Sequence, residues 1–215
     1  MIGIILAAGR GRRMFSWLPK CLLRVGNESL LSRNLEILRS FGIPIAVVVG
    51  YGAGPVVKEV GTRAICIYNP RYSETGSLYS LWLARQALWT LKAKEAIVVY
   101  ADMFTEPRVA LSVLQRPESA VMIPGYDGRG TRLYLDDDGY VESQSIATDP
   151  DPEGVSFAGY ARLPWDSLDR LDEIEGYETL SMTYALIGCP AITVEGISIN
   201  VNTPQDLERV RGAHT

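Results

Sequence analysis

Histidine is nearly absent from this chain: of 215 residues only His214, close to the far end, is one. Histidine acid–base chemistry and most transition-metal sites are thereby excluded. Cysteine is scarce too, and Cys21, Cys66 and Cys189 are odd in number and widely spaced. That pattern fits neither a disulfide framework nor a zinc site, so they read as ordinary, mostly buried thiols. The apolar start is too short to span a membrane and lacks a preceding basic region or a small-residue cleavage site, so a cytoplasmic protein with no membrane partner is expected. An excess of base is missing as well. The formal net charge is -4 and the sequence pI is near 5.2, which argues against nucleic acid as a partner, because such binders carry net positive charge over an extended face. There is no internal repeat and no low-complexity linker. The length suits a single domain, 1–215, and 47% apolar content is ample for its core.

Against that acidity, the first 27 residues hold Arg10, Arg12, Arg13, Lys20 and Arg24 without a single acid. An acidic chain has little reason to segregate its bases this way unless they meet negative charge. The run Ile2 to Leu6 reads as a buried strand, and it breaks at Ala7-Ala8-Gly9-Arg10-Gly11, where small residues let backbone N–H groups approach an anion. A phosphate-rich ligand is expected there, with a solvated basic loop as the alternative.

Leu30, Leu31, Asn34, Leu35, Leu38 and Phe41 recur at helical spacing, with Gly42 placed to end that helix, and Leu78, Leu81, Trp82, Ala84 and Leu88 mark another. Pro55 suits the first turn of a short helix. Ile45 to Val49, Ala64 to Tyr68 and Ala96 to Tyr100 are unalternating apolar runs. Such strands separated by helices predict an α/β fold with a parallel sheet covered on both faces, whose ligands bind beyond the carboxyl ends of the strands. Ala8, Tyr51, Asn69 and Asp102 all lie at such ends. Beyond Pro107 the pattern turns to hairpins: Val121 to Pro124, Arg132 to Leu135, Tyr140 to Ser143 and Val155 to Ala161 read as strands, with a turn at Asp136-Asp137-Asp138-Gly139. Thr148 to Gly154 reads as a mobile loop over the site. Thr203-Pro204-Gln205-Asp206 supplies a cap, a first-turn proline and a first-turn acid, so the last helix starts there. The pattern thus changes near Pro107, and again where the last helix begins.

No P-loop string occurs, and Gly9-x-Gly11 continues to Met14 where a dinucleotide fingerprint needs a third glycine. Leu6 to Met14 followed by Pro19-Lys20 instead resembles the L-A-A-G-x-G-x-R-M signature and Pro-Lys pair of the nucleotidyltransferase superfamily. Asn69 to Leu81 looks like the base-binding loop of bacterial phosphocholine cytidylyltransferase-like proteins. Asp102 stands where the family keeps a metal-binding Asp, and Asn200 to Leu207 is similar to its closing E-I-D-T-P-x-D-L element, so the resemblance covers nearly the whole chain. It implies a three-layer Rossmann-like fold with a mostly parallel mixed sheet and a smaller, hairpin-containing acceptor subdomain, divided into a nucleotide-binding part, 1–107, an acceptor-binding part, 108–199, and a closing metal element with its helix, 200–215.

The resemblance further implies CMP transfer from CTP to a small phosphate or phosphonate acceptor such as phosphocholine, with magnesium as cofactor and release of pyrophosphate. Arg13, Lys20 and Asp102 would be catalytic. Leu6, Ala7, Ala8, Gly9, Gly11, Tyr51, Thr75, Gly76, Ser77, Ser80 and Ala101 would complete the nucleotide site. Asn200 and Asn202 would join Asp102 on the metal, although both replace acids common in the subgroup, as in the Asn-x-Asn-Thr-Pro form of molybdenum-cofactor nucleotidyltransferases. Weaker metal affinity is expected. For the acceptor, Arg129 and Arg132 could anchor an anion, Tyr126 and Tyr160, with Trp165, Tyr177 and Tyr184, could surround a quaternary ammonium, and Glu178 could be its counter-charge. The Glu-Lys-Pro element of many sugar-1-phosphate enzymes is missing, since Ser143 follows Glu142. A sugar-1-phosphate nucleotidyltransferase, a metal-dependent glycosyltransferase and an inactive nucleotide-binding relative remain the alternatives, and a homodimer stays open.

Overall fold

The computed structural model describes residues 1–11, 18–127, 131–145 and 149–213. Its first half is β1 (Ile2–Ala7), β2 (Arg24–Val25), β3 (Glu28–Ser29), α1 (Leu30–Ser40), β4 (Ile45–Val49), α2 (Ala53–Val60), β5 (Ile65–Tyr68), α3 (Ser77–Leu88), β6 (Glu95–Tyr100), β7 (Met103–Thr105) and α4 (Pro107–Leu111). Then follow β8 (Ser119–Tyr126), β9 (Arg132–Leu135), β10 (Val141–Ser145), β11 (Asp151–Pro164), α5 (Trp165–Asp169), β12 (Ala191–Thr193), β13 (Ser198–Asn200) and α6 (Pro204–Ala213).

Every residue of β1 is buried because helices cover both sheet faces, which is why it reads as an unbroken apolar run. It pairs in parallel with β4 and β6, and β4 pairs in parallel with β5. Side chains alternate across this sheet. Ile2, Ile4 and Leu6 pack with Leu78, Leu81 and Trp165, on the side of α3 and α5; Ile5 and Ala7 pack with Leu31, Leu35, Val56 and Val109, on the side of α1, α2 and α4. The result is the three-layer α/β architecture expected. α1 starts where the Ser29 hydroxyl accepts the Ser32 N–H at 3.0 Å, and Gly42 follows it at φ 68°.

Antiparallel strands extend the sheet, in the order β10-β9-β11-β6-β1-β4-β5, with β8 and β12 joined through β11. The spine of this part is β11, whose Tyr160–Pro164 stretch pairs with β6, while residues from Asp151 to Arg162 pair with β8 and Val155 and Ser156 with β9. Gly159, at φ 85°, sits in the register shift of the β8 pairing between Phe157 and Ala161, and a Cβ there would lie 2.4 Å from Met103 Cγ. Glycine thus lets β7 approach. One expectation needs correcting: Asp151 to Gly154 belongs to β11 and is not loop, while Thr148 lies outside the described residues. Pairing of Asp151 with Tyr126 and of Val155 with Pro124, with a bulge between, overrides the turn-like Asp-Pro composition.

β7 and β13, too short to announce themselves, form a separate two-stranded antiparallel sheet in which Asn200 faces Met103. That pairing lays the last part of the chain beside Asp102. A small core of Val25, Leu30, Phe104, Val201, Leu207 and Val210 holds it there.

Candidate functional site

A cavity of about 160 Å³ opens at the carboxyl ends of β1 and β6. Of the residues the sequence singled out, Leu6, Ala7, Ala8, Gly9, Lys20, Thr75, Gly76, Ser77, Ser80, Ala101 and Asp102 line it. Tyr51 stands behind the wall, its N–H donating to Ala8 O at 3.0 Å and its ring 5.5 Å below the Arg10 guanidinium. Gly11 acts by its lack of a side chain, since at φ 63° a Cβ would fall 2.2 Å from Lys20 Cγ. The lysine stem passes through that gap. Arg13 lies outside the described residues.

The wall from Asn69 to Ser80 is stapled from within. Asn69 is fully buried; its Nδ2 donates to Thr75 Oγ1 at 3.2 Å and Ser80 Oγ at 3.0 Å, and its Oδ1 accepts the Arg71 N–H at 2.9 Å. A distant segment closes the back: Gly76 N–H donates to Glu178 O at 2.7 Å and Leu78 N–H to Leu180 O at 3.1 Å. Two N–H groups at the start of α3, those of Gly76 and Leu78, are therefore given to protein carbonyls. Tyr100 OH bridges Ser77 Oγ at 3.1 Å and Ser181 Oγ at 2.8 Å. Burial pushes that phenol's pKa up, so it stays neutral. Cys21 also lines the cavity; burial first, then the Asp102 charge, drives its pKa up to about 12, so it is an inert neutral thiol. Asn69, Tyr72, Tyr100 and Cys21 were not singled out as site residues. Asn69 already ended a predicted strand, the signal by which it could have been found.

Below this wall, three oxygens converge on one cation. Lys20 Nζ donates to Asp102 Oδ2 at 2.6 Å, Asn202 Oδ1 at 2.7 Å and Val201 O at 3.3 Å. Asp206, 1% exposed, accepts from Asn202 N, Thr203 N and Thr203 Oγ1 and so fixes the Asn202 turn. Nearby, Asn200 Oδ1 is buried with no hydrogen-bond partner among the described residues. A carboxylate, amide oxygens and a main-chain carbonyl are hard donors, and an orphaned amide oxygen beside them is the kind of atom a hard cation satisfies; the set fits magnesium. Among the described residues no cluster of three His, Cys, Asp or Glu offers another such place.

Tyr100 is shared with a second cavity of about 390 Å³, bounded by β7, β8, β11 and β13. Asn200 lines it, but Arg132, Tyr160 and Glu178, expected to hold an acceptor, do not. Tyr160 is fully buried in the core beneath β7, and its hydroxyl donates to Asn34 Oδ1 at 2.6 Å while Asn34 Nδ2 donates to Met103 O at 3.1 Å. It is a strut for the Asp102 turn, not an acceptor platform. Arg132 is paired with Asp151, its guanidinium 4.7 Å from the Tyr134 ring centroid. Glu178 binds Arg71 through both carboxylate oxygens, at 2.7 and 3.3 Å, behind the wall of the smaller cavity. That hydrogen bonding holds its carboxyl below the usual range. Tyr126 ends β8 with its side chain outside the described part, and Arg129 is outside it altogether.

The family described as MobA-like NTP transferase domain matches residues 3–183. The bifunctional protein GlmU of Azotobacter vinelandii is 29% identical over 98% of this chain and 48% of its own length. The chain spans about half, or less, of the curated relatives it matches. Among solved structures, the CTP:phosphocholine cytidylyltransferase LicC of Streptococcus pneumoniae superposes with a TM-score of 0.76 at 18% identity, covering 100% of this chain and 99% of that one. A putative glucose-1-phosphate thymidylyltransferase of Bacillus anthracis does so with a TM-score of 0.80 at 18% identity, covering 99% and 95%. At such identity the likeness is one of fold.

Proposed function

Since the chain belongs to the MobA-like NTP transferase family, we propose that it transfers CMP from CTP to a small phosphate or phosphonate acceptor, releasing pyrophosphate. The observation that carries this reading is the meeting of two cavities at Tyr100, with Lys20 and Asp102 in the smaller and Asn200 in the larger. Apart from Lys20 and Asp102, the 160 Å³ cavity is walled by uncharged groups, which suits a nucleotide base, and the likeness of the Asn69–Ser80 stretch to the cytidylyltransferase base loop favours a pyrimidine. With the Gly76 N–H already given to Glu178 O, reading of the pyrimidine edge falls to the Ala7–Gly9 backbone and the Ser77 side of the wall.

An acceptor oxygen, ionised at neutral pH, forms a bond to the α-phosphorus as the bond to the pyrophosphate oxygen breaks; no proton has to be removed. The difficulty is bringing two anions together. Lys20 supplies a cation at the junction, and Arg13 is its partner by the family signature. A magnesium ion held by Asp102 with the amide oxygens of Asn200 and Asn202 would neutralise α- and β-phosphate oxygens. Asp206 and the β7–β13 pairing keep those donors in place. No helix among the described residues is long and apolar enough to cross a membrane.

The test is pyrophosphate release with magnesium, each nucleoside triphosphate in turn, and a panel of phosphocholine, aminoethylphosphonate, polyol phosphates and sugar 1-phosphates. CTP with a small acceptor is expected to be fastest. Calorimetric binding of GTP or ATP without binding of CTP overturns the donor assignment.

A further inference from the structure

One position in the buried stripe of α1 is polar. Leu30, Leu31, Leu35 and Leu38 are fully buried, and Asn34, among them, is buried as completely. A leucine there would avoid the desolvation that an amide incurs, so the position is explained by what the amide holds. It holds two partners far away in the chain, accepting the Tyr160 hydroxyl at 2.6 Å and donating to Met103 O at 3.1 Å. A main-chain carbonyl only accepts, so the amide nitrogen must face Met103 and its oxygen must face Tyr160; the network has a single orientation. Burial pushes the pKa of the phenol up, which keeps it a neutral donor.

Met103 directly follows Asp102. The Asp102 turn is tied on its other sides by Ala101 N–H, which donates to Leu6 O at 3.2 Å, and by Val201 N–H, which donates to Asp102 O at 3.0 Å. Lys20 comes to the carboxylate by another route but leans on the same helix. Lys20–Leu22 is a single 3₁₀ turn whose Cys21 packs with Leu31 and Leu35, and Leu30 N–H at the start of α1 donates to Leu23 O at 3.0 Å. Both sides of the 2.6 Å contact between Lys20 and Asp102 are therefore referred to α1, one by packing and the other through Asn34.

Resting on the reaction proposed above, we propose that Asn34 is a positioning residue that sets Asp102 against Lys20, and that its pair with Tyr160 is kept for the site and not for stability. Replacing both members of a buried hydrogen bond by apolar groups of the same shape is nearly neutral for stability, whereas a displacement of about 1 Å between catalytic groups costs about a hundredfold in rate. Stability and turnover should therefore part company when the pair is replaced.

The experiment uses the full chain and the double variant Asn34→Leu/Tyr160→Phe, followed by thermal melts, steady-state kinetics and lysine-selective ¹H–¹⁵N spectra at low temperature. The Lys20 ammonium, seated among three acceptors, should give a slowly exchanging proton signal in the wild type, assigned by its loss in Lys20→Ala. In the double variant the melting temperature should stay within a few degrees of the wild type, the signal should vanish, and kcat should fall at least roughly tenfold with KM for CTP within about twofold. Tyr160→Phe alone spares the bond to Met103 O, so it should keep the signal and lose at most about threefold in kcat. Leu38→Ala is the control: it lies on the same helix against the start of β1, where a Cβ on Gly3 would come 2.9 Å from its Cδ1. It should melt several degrees lower and keep both the signal and turnover. A wild-type spectrum without the signal, a signal and kcat unchanged in the double variant, equal losses in Leu38→Ala, or a double variant that does not fold overturns the proposal. If the signal behaves as expected but no nucleoside triphosphate releases pyrophosphate in the wild type, the reaction reading falls and the positioning of Asp102 by Asn34 stands.

Discussion

The two cavities share Tyr100, yet they are built in opposite ways. The smaller is made largely of backbone and small residues at the carboxyl ends of parallel strands, with its far wall stapled by one buried amide, Asn69. The larger is made of side chains projecting from antiparallel strands, where adjacent positions can change without moving the main chain. On the proposed function, the difference teaches where specificity resides: donor recognition would be tied to the topology of the sheet, and acceptor recognition to a few replaceable side chains. Substitutions on one side should therefore leave ligand binding on the other unaltered.

The largest effect should come at the junction. Lys20→Ala removes the cation seated among Asp102, Asn202 and Val201 O, and turnover should fall by about two orders of magnitude or more, the scale of a lost transition-state electrostatic contact. Asp102→Ala should abolish magnesium-dependent turnover. Acceptor binding measured without nucleotide should persist in Asp102→Ala and weaken in Lys20→Ala, which removes the cation at the junction. Near-normal turnover in Lys20→Ala would move the reaction centre elsewhere, and loss of acceptor binding in Asp102→Ala would break the separation of the two cavities.

A smaller effect, confined to the donor side, is expected at Gly76. A Cβ there would sit 2.1 Å from Leu180 O and 2.5 Å from Thr179 O, both main-chain atoms that cannot swing aside. Gly76→Ala should cost about 1–3 kcal/mol of stability, lower the melting temperature by several degrees and weaken nucleotide binding roughly tenfold. Phosphocholine affinity should not move. Thermal melts and paired titrations check this, and an equal loss on the acceptor side would show that the wall belongs to both cavities.

The same contrast decides what could be read from the sequence. The run Ile2–Ala7, the small residues after it, Asp102 and the Asn69–Ser80 stretch were legible because their chemistry is local: a strand ends and a loop begins within a few residues. The larger cavity was not, because its residues are chosen by pairings across long separations. Asp127 meets Arg209 82 residues away, and β7 finds β13 only through tertiary packing. Tyr160 and Glu178 have the residue types an ammonium pocket needs, yet one is turned inward by strand alternation at β11 and the other is held by Arg71 behind the wrong wall. Composition identifies aromatic and acidic groups but carries no information about which face they occupy.

The smallest effect should be at the shared residue. Tyr100→Phe keeps the ring that both cavities use and deletes only the hydroxyl between Ser77 and Ser181. That phenol is buried and neutral, so the loss is one of hydrogen bonding and not of charge. A net hydrogen bond is worth about 0.5–1.5 kcal/mol, which corresponds to a roughly two- to tenfold change. Because Ser77 belongs to the donor wall and the Tyr100 ring to the acceptor wall, KM for CTP and KM for the acceptor should rise together, by about threefold each, with kcat nearly unchanged. Steady-state kinetics with both substrates varied separates the cases. A change in KM for CTP alone would place Tyr100 wholly on the donor side and leave the larger cavity independent of the wall that divides them.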